Sequence, residues 1–223
     1  MASSRDADKQ RSFSKEAMGA RLRAIRKEKG FTLKQLSQAS GVALSTLSKA
    51  ELGQTALSYE KFVAIALALD VDMSVLLQPD GEQPSNRLNG KVIKASMQDQ
   101  HDYQTATYRH QFFFSEISGK VMTPIVATVF SRSVDEFSEY IRHPGQEFAY
   151  VLSGAIRLVF ENGEEIRLKR DEAAYFDSSV GHVYLSTSKT PARVLAVCTD
   201  VPERGVDVGQ RTPVARRRKA RSI

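Results

Sequence analysis

The hydrophobic positions of the chain change their spacing near residue 78. Before this point apolar residues recur at helical intervals, as Met18, Leu22 and Ile25 do at i, i+4 and i+7. After about residue 91 they come in short β-rich runs, such as residues 126–130 and 156–160. Because the helical pattern precedes the strand pattern, the sequence predicts separate α and β domains, not alternating βαβ units.

Composition and charge divide the chain further. We predict a disordered tail at residues 1–13, a helical domain at 14–78, a linker with prolines and glycine at 79–90, a β domain at 91–200 and a basic tail at 201–223. The net charge of +6 is concentrated in the helical domain and the C-terminal tail, while residues 79–200 are mildly acidic. A phosphate backbone is one partner for basic segments, and simple solubility is the other explanation.

Several classes of protein are disfavoured by the sequence. No apolar run approaches the roughly 18–20 residues that span a bilayer, and the charged N-terminus lacks the apolar core of a secretory signal. Cys198 is the single cysteine, so no intramolecular disulfide forms, and its apolar strand predicts an inert buried thiol. We therefore expect a cytoplasmic protein without a membrane partner.

The helical half predicts five short helices. Thr32 and Gln35 have the spacing of a capping box at the start of the second helix, and Gly41 ends that helix. Ser58 is expected to cap the fourth helix. The third helix, near residues 44–51, has a polar but mostly uncharged outer face, although Ser and Thr are modest helix formers. Such side chains suit hydrogen bonds to base edges and phosphates in a major groove.

The stretch TLKQLSQASGVALSTLSKAELG, residues 32–53, resembles the helix-turn-helix of the phage-repressor-like (XRE) family, and the similarity extends over residues 18–77. The resemblance implies an ion pair between Arg26 and Glu51. It also implies DNA contacts by outward-facing residues and by residues near phosphates, namely Leu44, Ser45, Thr46, Ser48, Lys49, Thr32, Gln35, Arg21 and Arg23. Ala43 stands where a capping Ser or Thr is usual, which weakens the start of the recognition helix. A helical domain that makes only protein contacts is the alternative.

Two stretches of the β half, residues 142–160 and 171–186, resemble the cupins, which are small antiparallel β-barrels of the double-stranded β-helix type. The metal-binding pattern of that family maps onto His143, Glu147 and His182. Ile141 stands where the remaining histidine is expected. Ligands of this kind suit zinc, iron, manganese or nickel. In the other interpretation these residues line a polar cavity and hydrogen-bond an organic ligand or one another.

Strand alternation predicts the lining of the barrel. It places Glu147, Ala149 and Val151 on one face, where small side chains leave room for a ligand of modest size. The candidate ligand-binding residues are His143, Glu147, His182, Tyr184 and Arg142, although tyrosines on strands are more often packing residues and arginines are more often solvated. The three phenylalanines at 112–114 are expected in the core or at a dimer surface.

The two halves together resemble bacterial regulators with an N-terminal repressor-like domain and a C-terminal cupin sensor. That resemblance implies a transcription regulator, by default a repressor and not an enzyme. It would bind a double-stranded DNA operator as a homodimer or higher homo-oligomer, and a small-molecule effector in the barrel would modulate it. Two alternatives are a cupin metalloenzyme, an oxygenase or isomerase with a fused DNA-binding domain, and a protein-interaction module without DNA binding.

Overall fold

A computed structural model describes residues 14–71, 73–76, 90, 92–100, 102–117 and 119–199. The predicted tails at 1–13 and 201–223, and the predicted linker except Gly90, lie outside the described residues. Within them, a helical N-terminal domain precedes an antiparallel β domain, as the sequence predicts. No helix in this part of the chain is both long enough and apolar enough to span a bilayer.

The helices begin and end at identifiable signals. They are α1 Lys15–Glu28, α2 Leu33–Ser40, α3 Leu44–Glu51, α4 Tyr59–Leu69 and the single turn α5 Met73–Leu76. The capping box of Thr32 and Gln35 is present, and Gly41 ends α2 in the left-handed conformation at φ 71°. Ala43 provides no side-chain cap for α3. Ser58 precedes α4 but caps nothing, because its hydroxyl donates to the nearby Glu60 carboxylate.

Helices α1 and α3 are held together by a close backbone approach and a buried ion pair. A Cβ atom on Gly19 would lie 2.1 Å from the Ala50 carbonyl oxygen, so only glycine allows this approach. The Arg26 guanidinium donates to both Glu51 oxygens, at 2.5 and 2.8 Å, and to the Phe31 carbonyl at 2.7 Å. The ion pair implied by the family resemblance is therefore confirmed.

The β domain consists of two antiparallel sheets. The strands are β1 Asp102–Gln104, β2 Tyr108–Phe112, β3 Thr123–Val129, β4 Gln146–Ser153, β5 Ala155–Phe160, β6 Glu165–Lys169, β7 Ala173–Asp177, β8 His182–Ser186 and β9 Ala192–Thr199. One sheet has the order β1-β2-β3-β9-β4-β7 and the other β6-β5-β8. Glu147, Ala149 and Val151 of β4 are all buried, as the alternation predicts.

The two domains share a hydrophobic cluster, which the sequence did not predict. Phe62 of α4 packs edge-on against Tyr103, with ring centroids 5.1 Å apart, and Tyr59 stacks on Phe112 at 6.2 Å. Phe112 is buried there, while Phe113 and Phe114 are half-buried. The β domain therefore packs against the helical domain through α4, which contacts Tyr103 of β1 and Phe112 of β2.

Candidate functional site

The predicted DNA-contacting residues of α3 fall into two groups. One group shares a single face of the helix, because Leu44 and Ser48, and likewise Ser45 and Lys49, are four residues apart. On this face Ser45 and Lys49 are exposed and Ser48 is half-buried. Leu44 is 47% exposed. Thr46 is half-buried and borders a groove between the two domains. The solvent-facing side of α3 is therefore formed by Leu44, Ser45, Ser48 and Lys49.

The other predicted DNA-contacting residues lie at the start of α2 and along α1. Thr32 and Gln35 are exposed, but their side chains are hydrogen-bonded to each other in the capping box. Arg23 is exposed. Arg21 is half-buried, and its Nε donates to the Val75 carbonyl at 3.1 Å, which ties α1 to α5. Of these four residues, Arg23 is the one whose side chain is both charged and open to solvent.

A second cluster of polar side chains is buried in the β domain. All three histidines within the described residues line one cavity of about 40 Å³. The polar and sulfur-containing side chains of its wall are His110, His143, His182, Glu147, Tyr184, Tyr108, Tyr59 and Cys198. The sequence predicted His143, Glu147, His182 and Tyr184 at such a site, and the structure brings these four together.

A glycine turn positions the first two of these residues. Gly145, between His143 and Glu147, has φ 95°, and a Cβ atom there would lie 1.7 Å from the Thr199 carbonyl oxygen. The His143 amide donates to the Ser178 carbonyl at 3.0 Å, which fixes the chain before the turn. Ile141 and His182 exchange two backbone hydrogen bonds, at 3.1 and 2.9 Å, which fix the start of β8.

The Glu147 carboxylate is the centre of the cluster. Its Oε2 lies 3.0 Å from His143 Nε2 and 3.4 Å from His182 Nε2, and its Oε1 accepts a hydrogen bond from the Tyr184 hydroxyl. Burial opposes ionisation of Glu147, but the hydrogen bonds from His143 and His182 outweigh it and hold the pKa of this carboxyl well below its usual range. Burial, together with the negative charge of Glu147, raises the pKa of the Tyr184 phenol.

His110 was not among the predicted site residues. It lies on β2, where Tyr108, His110 and Phe112 alternate inward, and burial lowers its pKa to about 4 despite the nearby charge of Glu147. The imidazole is therefore neutral at pH 7 and can accept as well as donate a hydrogen bond. The alternation along 108–112 was a signal that His110 points inward, but nothing in the sequence placed β2 on the same cavity as Glu147.

Cys198 was expected to be inert, and the structure places it at the site. Glu147 and Cys198 are directly opposite each other on β4 and β9. One donor atom from each of His143, Glu147 and Cys198 lies within 4.8 Å of the other two, and all three residues are buried. This group could hold a metal ion. Cys198 reaches this group because β9 pairs with β4. Glu147 and Cys198 are about fifty positions apart, so the sequence alone did not place them together.

Two other expectations about the ligand site were wrong in position or size. Arg142 is exposed and pairs with Glu161 at the surface, so it does not line the cavity, because neighbouring residues of an extended segment point to opposite sides. The small side chains of β4 do not leave room for an organic ligand. Tyrosines and histidines fill that space, and about 40 Å³ remains, whereas drug-sized ligands occupy pockets of about 300–1,000 Å³.

A larger groove of about 340 Å³ lies between the two domains. Its polar lining includes Thr46, Ser58, Glu60 and Lys61 from the helical domain and Thr105, Glu136 and Glu139 from the β domain. Lys61 pairs with Glu139 across it at 2.9 Å. Tyr59 lines both this groove and the buried cavity, and its ring stands edge-on to His143 with centroids 5.1 Å apart. The first residue of α4 thus lies between the groove and the cavity, together with Tyr108, His110 and Ile141, which also line both.

Both halves of the chain are similar to known families. Residues 22–76 match the helix-turn-helix family, and residues 133–198 match the cupin domain family. The transcriptional regulator ClgR of Mycobacterium tuberculosis is 34% identical over 93 residues, which cover 37% of this chain and 83% of ClgR. The chain belongs to the XRE-type helix-turn-helix transcriptional regulators. It is a DNA-binding regulator with a C-terminal cupin domain.

Solved structures are similar to this regulator in fold. A helix-turn-helix family transcriptional regulator from Vibrio cholerae has a TM-score of 0.57 at 17% identity, over 83% of this chain and 96% of that chain. At that identity the likeness shows a shared fold alone. Hydroxypropylphosphonic acid epoxidase from S. wedmorenis has a TM-score of 0.44 at 20% identity, over 83% of this chain and 98% of the epoxidase, which is too low to bear on the regulator's chemistry.

Proposed function

We propose that this regulator binds an operator as a homodimer and that a small molecule changes its operator affinity through the contact between the two domains. The observation that carries the proposal is the position of Tyr59. It is the first residue of α4 in the DNA-binding domain, and it also forms part of the wall of the cupin cavity. A ligand that moves Tyr59 must therefore change how the DNA-binding domain packs against the cupin domain.

The groove between the domains is the best candidate for the effector site. Its volume of about 340 Å³ is within the range of small-molecule sites, and both domains supply hydroxyls and carboxylates to it. A ligand that prefers one arrangement of the domains shifts the population towards it, by no more than its difference in affinity for the two arrangements. Because Thr46 of the recognition helix also borders the groove, such a shift would reach the DNA-binding face directly.

The remaining architecture follows the family resemblance. We propose domain boundaries at 14–78 and 91–200 with a linker at 79–90, and closure of the two cupin sheets into a barrel. A homodimer would place two recognition helices about 34–36 Å apart, one turn of B-DNA, and so favour a near-palindromic operator. Repression is the expected sign when that operator overlaps a promoter.

The Lys49→Ala variant tests DNA recognition by α3. Lys49 is exposed on the same face as Ser45 and Ser48, so its ammonium can reach a base edge or phosphate. We expect Lys49→Ala to weaken operator binding by about 1–3 kcal/mol. The operator is first selected from a random DNA pool with the unmodified protein, and fluorescence anisotropy at fixed salt then gives Kd for both proteins.

Lys169→Ala is the matched control for Lys49→Ala. It removes the same charge from an exposed position on β6 of the cupin domain, and it should leave Kd unchanged. If the Lys49→Ala variant and the unmodified protein bind the operator equally well, Lys49 does not contact the DNA. Failure of the unmodified protein to enrich any sequence would contradict the proposed function as a whole.

The Tyr59→Ala variant tests the coupling between domains. Tyr59 is 7% exposed and packs on Phe112 and His143, so truncation opens the shared cluster. Loss of a buried aromatic ring costs about 3–5 kcal/mol. We expect calorimetry to show one unfolding transition for the unmodified protein and two for the variant. Tyr175→Ala, which truncates a tyrosine that is 68% exposed, should keep one transition. A single, unshifted transition in the Tyr59→Ala variant would contradict coupling through this residue.

The buried donor set also favours a second candidate, a cupin metalloenzyme with a fused DNA-binding domain. Its chemistry would need a substrate beside the metal, and the cavity of about 40 Å³ leaves no space for one. Oxygen uptake by the iron-loaded protein, measured against a panel of small metabolites, distinguishes the two. Turnover would support the enzyme, and its absence alongside operator binding would support the sensor.

A further inference from the structure

We propose that Cys198 is a metal ligand that replaces the absent histidine of the cupin pattern, so that His143, Glu147 and Cys198 bind zinc or a similar thiolate-binding divalent ion. Ile141 stands where the resemblance expects a histidine, and it can supply no donor atom. Cys198 supplies one from another strand, β9, on the wall of the same cavity.

The spacing of the donor atoms is close to that of a zinc site. One atom from each of the three residues lies within 4.8 Å of the others. Zinc–nitrogen bonds of about 2.0 Å and zinc–sulfur bonds of about 2.3 Å place tetrahedral donors roughly 3.5 Å apart. Side-chain rotations that move the donor atoms by about one ångström would bring them to this spacing. The Glu147–Cys198 register across β4 and β9 fixes two of the donors on rigid strands.

His182 lies next to this three-residue group and approaches its carboxylate. Its Nδ1 lies 2.9 Å from the Val180 carbonyl, which can only accept, so Nδ1 carries a proton. Nε2 lies 3.4 Å from Glu147 Oε2, to which it donates a hydrogen bond in the absence of a metal; when a metal displaces that proton, Nε2 is the ring nitrogen left with a lone pair. A backbone carbonyl that fixes the tautomer in this way is typical of metal-bound histidines. The Tyr184 hydroxyl, which donates to Glu147 Oε1, orients the carboxylate from the other side.

The size of the cavity also fits an ion better than an organic molecule. Its volume of about 40 Å³ accommodates an ion with one or two waters, since one water needs about 10–15 Å³ measured in this way. Cys198 is 2% exposed, and a thiolate at such a depth is stable when a metal compensates its charge. Thiolate and imidazole donors together favour zinc over magnesium, calcium or manganese.

Cobalt substitution tests the proposal on the full-length protein. The chain has one cysteine, so a thiolate-to-cobalt charge-transfer band can come only from Cys198. The protein is stripped with a chelator, loaded with Co²⁺ and examined by absorption spectroscopy. We expect one ion per chain, a near-ultraviolet charge-transfer band, and loss of that band in Cys198→Ser with zinc affinity lowered by more than about 100-fold, because even outer partners of a metal site contribute 10–100-fold.

Two results would overturn the proposal. One is stoichiometric cobalt binding without a charge-transfer band, unchanged in Cys198→Ser, which would assign the site to His143, Glu147 and His182. The other is no binding by the unmodified protein. X-ray absorption of the zinc-loaded unmodified protein decides the question even if the variant does not fold. One sulfur atom bound to zinc would support the proposal, and none would contradict it. Operator binding by the metal-free protein is measured separately, so failure here leaves the proposed DNA-binding function intact.

Discussion

The Glu51→Gln variant is expected to lose a large part of the stability of the DNA-binding domain. Among the contacts described, Glu51 is the only charged partner of the Arg26 side chain. Both side chains are buried, with Glu51 5% and Arg26 9% exposed. Its amide replacement leaves a buried guanidinium without a counter-charge, which costs about 3–5 kcal/mol. Because a small domain has only about 5–15 kcal/mol in total, operator binding near 37 °C should fall with it.

Urea unfolding followed by far-ultraviolet circular dichroism measures this loss. Every α-helix in the described part of the chain lies within residues 15–76, so the helical signal reports on the DNA-binding domain. Glu139→Gln is the control, because the Lys61–Glu139 pair is partly exposed and contributes about 0–1 kcal/mol. Replacement of both Arg26 and Glu51 by apolar residues should recover stability relative to Glu51→Gln. A midpoint for Glu51→Gln equal to that of Glu139→Gln would contradict a structural role for the pair.

The helix-turn-helix was predictable because its signals are local. The capping box of Thr32 and Gln35 and the left-handed Gly41 lie within the residues they shape, and both are present as predicted. The ion pair of Arg26 with Glu51 was predictable only from the family, since nothing local brings α1 and α3 together. The close approach at Gly19 was missed for the same reason, because a glycine inside a helical pattern does not reveal what it contacts.

The buried polar cluster of the β domain was predicted in part, and the missing part depends on strand pairing. His143 and Glu147 share one stretch of chain, so the family pattern located them. Cys198 and His110 reach the cavity from strands distant in sequence, and alternation alone cannot say which strands lie opposite. The shared cluster between the domains was missed because the composition of residues 79–90 suggested a linker, and composition carries no information on whether the flanking domains touch.

The Gly145→Ala variant is expected to have the largest effect in the cupin domain. A Cβ atom there would lie 1.7 Å from the Thr199 carbonyl oxygen, which belongs to the backbone of β9 and cannot rotate away. Gly145 also has φ 95°, a backbone conformation that residues with a side chain adopt only at an energetic cost. We expect a loss of about 4 kcal/mol or more, in the range that reflects a specific structural conflict. Because Gly145 lies between His143 and Glu147, the buried cluster should be lost with it.

Gly163→Ala separates the two causes of that effect. Gly163 has φ 90°, nearly the same backbone conformation, but a Cβ atom there would meet nothing within 4 Å. Its substitution therefore costs only the backbone strain, about 1–2 kcal/mol. Tyrosine fluorescence during urea unfolding measures both variants, since six of the seven tyrosines lie beyond residue 91 and the chain has no tryptophan. If the two variants lose equal stability, strain at positive φ explains both, and β4 and β9 do not approach at Gly145 as closely as described.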